Sequence, residues 1–225
     1  MPLNLRLKYI ILLVILNALT YFGIQNLVSE HGFDFLLPID NKMPLIPEFI
    51  WIYNSLVPVL IFVAAGLVKT KRVFYTTALS FVLAMIVLDI CYLLLPSFYP
   101  REAFEVTGLS TWFLEVTRQI DGSNNTFPSG HVTLAWLLFW GVAHSKYAIK
   151  HNYVKWLTGL WAVGISVSTL VLKQHYFVDV VGGIVLAAAS FYTAKWLLKG
   201  SKFIQKYPDE NVGALSLEPE AQLAE

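Results

Sequence analysis

Six long apolar stretches dominate this chain, and each is close to the length that a helix needs to cross a lipid bilayer. They run over roughly 7–28, 49–68, 73–95, 128–146, 156–173 and 177–199. A helix crosses the hydrocarbon core of a membrane with about 20 mostly apolar residues. The pattern therefore predicts an all-α, polytopic membrane protein with six transmembrane helices.

The composition supports this fold class. Of the 225 residues, 56% are hydrophobic and only 14% are charged, which is too little charge for the surface of a soluble domain of this size. The formal net charge of +1 gives no reason to expect a nucleic-acid partner. The single cysteine, Cys91, lies within the third apolar stretch and cannot form an internal disulfide.

We expect one domain and a short tail. Residues 1–200 form the predicted six-helix membrane domain, and residues 201–225 form a polar tail that we expect to be solvated and partly disordered. The first apolar stretch lacks a small-residue cleavage site and is too long for the core of a signal peptide, so we expect it to stay in the protein.

The distribution of lysine and arginine predicts the orientation. With six spans both termini lie on one side, and cytoplasmic connections are enriched in basic residues. Twelve of the sixteen lysines and arginines fall on the side of the termini. The four on the other side are Lys42, Arg101, Arg118 and Lys173. We therefore predict that the N and C termini are cytoplasmic.

The stretch NNTFPSGHVTLAW, residues 124–136, is typical of a helix start that binds an anion. Proline followed by serine precedes an apolar run, so we expect Ser129 to cap the helix. The free amides of Ser129, Gly130 and His131 then point outward at the positive end of the helix dipole, which attracts phosphate. Gly130 lets a ligand approach the backbone closely, and His131 lies beside that ligand.

The stretch KQHYFVDVVGG, residues 173–183, places ionisable side chains at the edge of an apolar span. His175 and Asp179 are four residues apart, so on a helix they share one face. A hydrogen bond between them would fix the imidazole tautomer and leave its other nitrogen free to react. The fourth and sixth spans both start on the same side, so we expect His131 and His175 to meet at one membrane face.

Two motifs resemble those of a known family. PSGH at 128–131 and the pattern S-T-x5-H-x3-D at 168–179 resemble the second and third motifs of the type 2 phosphatidic acid phosphatase superfamily. Its members are six-helix integral membrane enzymes that cleave lipid phosphate esters without a metal. The resemblance covers most of the chain, from IPEFIWIY at 46–53 to the end of the sixth span.

The chain also departs from the family pattern. The phosphatases usually carry a first motif of lysine, six residues, arginine and proline, for which PSFYPRE supplies only Arg101. Thr169 follows Ser168 where the third motif normally has arginine. HYFVDVVGG is closer to the branch of inositol phosphorylceramide synthases and, more distantly, sphingomyelin synthases, which transfer a head group to an alcohol. The PSGH form is typical of the phosphatases.

The resemblance implies a role for each candidate residue. His175 is the expected nucleophile, Asp179 orients it, and His131 is the acid and base. Ser129 and Gly130 are expected to bind the phosphate oxygens at the helix start. The cations expected to replace the missing ones are Arg101, Lys173 and Arg118. No metal or other cofactor is expected.

Several functions remain open at this point. The first is a lipid-phosphate phosphatase acting on phosphatidic acid or a polyprenyl (di)phosphate through a phosphohistidine. The second is a phosphotransferase with an alcohol acceptor such as inositol, and the third is a lipid-phosphate binding or transport protein without chemistry. A structural role for the histidine–aspartate pair and a metal site are weaker alternatives, and no G-x-S-x-G elbow supports a serine hydrolase.

We expect the substrate to be a lipid phosphate held in the bilayer. The predicted location is the plasma (inner) membrane, with the active site facing the periplasm or the outside. The sequence does not indicate an oligomeric state.

Overall fold

The computed structural model describes residues 1–28, 32–201 and 206, and is built from helices in these ranges. They are α1 (Leu3–Leu27), α2 (Ile50–Asn54), α3 (Leu56–Leu67), α4 (Lys71–Leu94), α5 (Leu109–Ile120), α6 (Gly130–Ala143), α7 (Lys146–Lys150), α8 (Asn152–Val171) and α9 (Phe177–Lys199). Apart from residues 201 and 206, the predicted tail at 201–225 lies outside the described residues.

Five segments of the described chain are long and apolar enough to cross a membrane. Four are the single helices α1, α4, α8 and α9, and the fifth runs over Pro47–Leu67 and contains α2 and α3. The predicted fourth span differs, because α6 has only 14 residues. At 1.5 Å per residue α6 is about 21 Å long, shorter than a hydrocarbon core of about 30 Å. Five segments of the described chain therefore have the length and composition of a span, and the predicted count of six stays a prediction.

The short helix α6 lies at the centre of the bundle. It packs against α3, α4, α8 and α9. Buried residues occur all around it, among them Val132, Ala135, Leu137 and Val142. Because helices surround α6, its N-terminal motif is inside the protein rather than on a lipid-facing surface.

Helices α6 and α9 are in close contact at the candidate site. A methyl group added at Gly183 of α9 would lie 2.8 Å from the Ser129 carbonyl oxygen. The Thr133 hydroxyl of α6 donates to the Ser129 and Gly183 carbonyl oxygens. Glycine at 183 therefore permits the approach of the two helix starts.

The two ends of the described chain lie at the opposite end of the bundle from the histidines. The N-terminal amine donates to the Lys69 carbonyl oxygen just before α4. A groove there is lined by Tyr9 of α1, Phe74 of α4 and Leu198 of α9. This arrangement agrees with termini on one side, but their cytoplasmic location stays a prediction.

An additional amphipathic helix, α5, lies in the long connection between α4 and α6. Its exposed apolar residues include Leu109, Trp112 and Ile120, whereas Leu114 is fully buried against Ile50 and Tyr53. The helix covers the site on the side of α2, with which it is in contact. The sequence analysis does not predict this element.

Candidate active site

The PSGH motif forms the N-terminus of α6 as predicted. Ser129 is the N-cap, and its hydroxyl accepts a hydrogen bond from the Val132 amide at 3.4 Å. The Ser129 side chain is fully buried, and the Tyr92 hydroxyl fixes the preceding Pro128 carbonyl oxygen at 3.0 Å. The first turn of α6 is therefore held rigidly, with Gly130 and His131 lining a cavity.

His175 lies in the connection before α9 rather than on the helix itself. The helix begins at Phe177, so helical spacing does not account for the contact between His175 and Asp179. The imidazole Nδ1 of His175 is 2.9 Å from the Thr126 carbonyl oxygen and 3.4 Å from Asp179 Oδ2. A carbonyl oxygen only accepts, so Nδ1 carries the hydrogen. Nε2 is then the nitrogen with a free lone pair.

Asp179 is fully buried and acts at the start of α9. Its Oδ2 accepts a hydrogen bond of 2.8 Å from the Tyr176 amide and lies close to His175. The Asp179 carboxylate therefore caps the helix and faces the imidazole at once. The pair predicted from the sequence is present, with the Thr126 carbonyl as an additional partner of the ring.

A main-chain hydrogen bond joins the two motifs. The Ser129 amide donates to the Asp179 carbonyl oxygen at 3.0 Å, so the prediction that this amide is free to bind phosphate is wrong. The rings of His131 and His175 consequently lie near each other, with their centroids 6.5 Å apart. The expectation that these distant histidines meet at one end of the bundle agrees with this geometry.

Both histidines line one cavity of about 390 Å³. Its walls are mostly apolar and come largely from α1, α2, α3, α4 and α5, and the described residues that line it include no lysine or arginine. The polar and ionisable groups on its wall include Asn17, Tyr21, Tyr53, Asn54, Asp89, Tyr92, Thr117, Asp121, Asn125, His131 and His175. An apolar cavity with a few convergent polar groups is typical of a small-ligand or lipid site.

Tyr53 contacts His131 and Asp121 contacts Tyr53, and neither residue is assigned a role from the sequence. The Tyr53 and His131 rings stack with centroids 4.0 Å apart, and the Tyr53 hydroxyl lies 3.3 Å from His131 Nδ1. That hydroxyl donates to Asp121 Oδ2 at 2.8 Å. The Tyr21 hydroxyl donates to the other oxygen, Oδ1, at 2.5 Å. The one indication in the sequence was that Asp121, an acidic residue, lies ten positions before His131.

Asn125 is a third residue of the site without a role assigned from the sequence. Its side chain lines the cavity and is only 2% exposed, yet neither its oxygen nor its nitrogen has a hydrogen-bond partner within the described part of the chain. Its backbone is left-handed, with φ of 58°, a conformation that asparagine tolerates better than most residues. Buried amides are usually bonded, so Asn125 is poised to bind a ligand.

Two of the candidate cations form a cluster beside the site. The guanidinium of Arg101 donates to the carbonyl oxygens of Arg118 and Gly122 and to the side chain of Gln174, which precedes His175. Arg118 donates to the Glu102 and Leu172 carbonyl oxygens. Burial, followed by the neighbouring Arg101 charge, lowers the pKa of Arg118. Neither side chain lines the cavity.

Lys173 is directed to a different part of the molecule. Its amine donates to the Asp40 carbonyl oxygen at 3.0 Å, and the side chain is buried. The Asp40 carboxylate in turn accepts from the Phe177 amide at the start of α9. Lys173 therefore holds the 40s loop against α9, and its predicted role in phosphate binding stays a prediction.

The donor set favours acid–base and nucleophilic chemistry. Two imidazoles open on one cavity, each with a hydrogen-bond partner at Nδ1. Groups of three or more His, Cys, Asp or Glu side chains that could hold a metal ion are not found among the described residues.

Comparison with known proteins gives one match. A family model described as the PAP2 superfamily matches residues 39–193, which include both histidine motifs and most of the bundle. A search of curated proteins finds no match. A search of solved structures also finds no match.

Proposed function

The chain belongs to the PAP2 superfamily, whose members are phosphatases or phosphotransferases, and we propose that it is a membrane phosphatase of lipid phosphates acting through a phosphohistidine. The observation that carries the proposal is the approach of His131 and His175 to 6.5 Å between ring centroids on one cavity. That separation accommodates one phosphoryl group, since reacting atoms must approach to about 3–3.5 Å before bond formation.

In the first step His175 Nε2 attacks the phosphorus atom. A phosphorus–nitrogen bond forms and the phosphorus–oxygen bond to the lipid alcohol breaks. The imidazole becomes positively charged, and the adjacent Asp179 carboxylate stabilises that charge at 3.4 Å. His131 gives its Nε2 proton to the departing alkoxide.

In the second step His131 acts as the base. Its Nε2 takes a proton from water while the water oxygen attacks phosphorus. The phosphorus–nitrogen bond breaks, inorganic phosphate leaves, and His175 returns to its neutral Nδ1–H form. The sum of the two steps is hydrolysis of one ester bond, and both histidines end as they began.

The phosphate oxygens are bound by neutral donors in this proposal. The amides of Gly130 and His131 lie at the N-terminus of α6, where the helix dipole favours an anion. The buried, unpartnered Nδ2 of Asn125 supplies a further donor on the cavity wall. Donors fixed before the reaction stabilise charge as it develops on the phosphoryl group.

Turnover by the purified protein tests the proposal. A panel of lipid phosphates in detergent or vesicles is incubated with wild-type protein and with His175→Ala, and free phosphate is measured with and without a chelator. We expect release by wild type alone, unaffected by the chelator. Binding without release of phosphate or transfer of a head group would support the third alternative, a binding or transport protein.

Head-group transfer to an alcohol is the second candidate. The described cavity wall carries Asp89 and Asp121 but no lysine or arginine. A phosphodiester has one negative charge and a phosphomonoester has up to two, and an uncompensated buried charge is costly. This charge balance favours a diester substrate. Adding inositol or another alcohol to the same assay, with mass spectrometry of the lipid products, distinguishes transfer from hydrolysis.

The distribution of basic residues supports a proposal for the membrane face on which the site lies. We propose an orientation with the histidines on the periplasmic or outer side of the plasma membrane, because most basic residues lie at the other end of the chain's spans. A lipid substrate can then bring its phosphate to the cavity while its tails stay among the apolar walls.

A further inference from the structure

Asp121 is the one carboxylate of the described cavity wall whose two oxygens each accept a tyrosine hydroxyl. The Tyr21 hydroxyl donates to Oδ1 and the Tyr53 hydroxyl donates to Oδ2. The three residues come from α1, α2 and the turn after α5. Such convergence holds the carboxylate in one position next to the candidate active site.

Tyr53 connects this carboxylate to His131. Tyr53 is 1% exposed, its ring covers one face of the imidazole, and its oxygen is 3.3 Å from Nδ1. A tyrosine hydroxyl has one hydrogen, and that hydrogen is directed to Asp121. The oxygen can therefore only accept from His131, so Nδ1 of the imidazole carries a hydrogen.

We propose that Asp121 and Tyr53 are positioning residues that orient His131, with Nδ1–H bonded to Tyr53 and Nε2 directed into the cavity, and that they favour its protonated, acid form against the effect of burial. The inference rests on the proposed function, since it explains how the proposed acid is held. Burial lowers the pKa of His131 to about 4, and the negative Asp121 carboxylate opposes that shift. The electron-rich face of the phenol ring also stabilises a cation stacked on it.

The proton balance follows from this arrangement. The imidazolium of His131 loses its Nε2 proton to the leaving alkoxide and becomes the neutral Nδ1–H tautomer. In the second step Nε2 regains a proton from water or an alcohol. Tyr53 remains a phenol and Asp121 remains a carboxylate throughout, so the pair orients and stabilises His131 without exchanging protons.

The two histidines are thus held in the same way by different partners. For His175, the Thr126 carbonyl oxygen and the Asp179 carboxylate face Nδ1. For His131, the Tyr53 hydroxyl faces Nδ1 with Asp121 behind it. Both Nε2 atoms are then available to a phosphoryl group between the rings.

The test compares two substrates that differ in their need for an acid. A lipid phosphate has a poor alkoxide leaving group, whereas an activated aryl phosphate has a leaving group that barely needs protonation. In Tyr53→Phe we expect kcat/KM for the lipid phosphate to fall about 10- to 100-fold, within the range of acid–base contributions. We expect kcat/KM for the aryl phosphate to stay close to wild type, and Asp121→Asn to show the same difference.

Tyr9→Phe is the matched control. Tyr9 lies in α1 at the opposite end of the bundle, so the loss of its hydroxyl leaves Asp121 and His131 unchanged, and the ratio of the two kcat/KM values should stay near that of wild type. Equal losses on both substrates in Tyr53→Phe, in protein with a wild-type unfolding temperature, would overturn the inference and leave the proposed function standing. Wild type inactive on both substrates would instead contradict the proposed function itself.

Discussion

His131 and His175 have adjacent rings but different surroundings, and their proposed roles follow from those surroundings. His175 is bonded to a main-chain carbonyl oxygen and a buried carboxylate, which suits a nucleophile that becomes positively charged. His131 lies in the first turn of α6 and stacks on a tyrosine whose hydroxyl faces its Nδ1, which suits a group that gives and takes a proton at Nε2. This division of roles can be tested one residue at a time.

We expect His131→Ala to accumulate a phosphohistidine at position 175 when it is given an activated aryl phosphate. The leaving group departs without an acid, but water is then activated poorly because the base is missing. Rapid quenching and mass spectrometry should find an acid-labile, alkali-stable phosphoryl group on His175, and His175→Ala should form no covalent species. A phosphoryl group on position 131 of otherwise wild-type protein would reverse the two roles.

Asn125→Asp should weaken phosphate binding. The change keeps the shape of the side chain and its tolerance of a left-handed backbone, but it places a negative charge on the cavity wall where a neutral donor lies. We expect KM to rise about 10-fold or more, because a like charge replaces a hydrogen bond to a charged group. Steady-state kinetics measure the change.

Asn152→Asp is the control for that substitution, since it adds the same charge at an exposed helix start far from the cavity. Asn125→Gly separates the side chain from the backbone, because glycine keeps the left-handed conformation and removes the amide. An unchanged KM in both variants at position 125 would show that other groups hold the phosphate.

At the scale of elements, the site depends on the contact between the N-terminus of α6 and the first turns of α9. The Ser129 amide and the Asp179 carbonyl oxygen are bonded at 3.0 Å, and Gly183 faces the Ser129 carbonyl oxygen without a side chain between them. A change in the separation of these helices would move both histidines together.

Gly183→Ala should therefore damage the site although it changes no reacting group. The new methyl carbon would lie 2.8 Å from a main-chain oxygen, and such overpacking typically costs about 1–3 kcal/mol. We expect a lower unfolding temperature and a lower kcat. Tryptophan fluorescence in detergent measures the unfolding temperature. Gly23→Ala in α1, where a methyl group meets nothing within 4 Å, should leave both unchanged. Equal behaviour of the two variants would mean that α9 can move away without loss.

The elements differ in how far the sequence predicts them. The start of α6 is predictable because the Ser129 cap involves residues only three positions apart. The start of α9 is less predictable. The spacing of four between His175 and Asp179 suggests that both lie on a helix, but α9 begins at Phe177, so His175 precedes it. The fourth span was predicted to run to residue 146, whereas α6 ends at Ala143 and a cap at Ser145 starts a separate helix, α7.

The partners of the site residues were the least predictable part. Tyr53 and His131 are 78 positions apart, and an aromatic residue near a membrane edge also fits an interfacial belt. The directions of Arg101, Arg118 and Lys173 depend on main-chain carbonyl oxygens that only the folded chain brings near. Their placement on the active-site side follows from span counting, but their contacts do not.

At the scale of the whole molecule, the distribution of basic residues predicts which face of the membrane the cavity serves. A cysteine at Ser123 in a Cys91→Ala background should react with an impermeant maleimide added to intact cells. A cysteine at Ser201, at the other end of the bundle, should react only after the membrane is permeabilised. The reverse labelling pattern would overturn the proposed orientation and place the histidines in the cytoplasm.

The main-chain bond between Ser129 and Asp179 has a practical consequence, because it involves no side chain that the chemistry requires. Replacing His175 by alanine should stop the reaction, and it leaves this bond and the start of α6 in place. The inactive variant should then bind and retain the lipid that the active protein would convert to product. Native mass spectrometry of such a variant, purified from its own membranes, would identify the natural substrate directly by its mass.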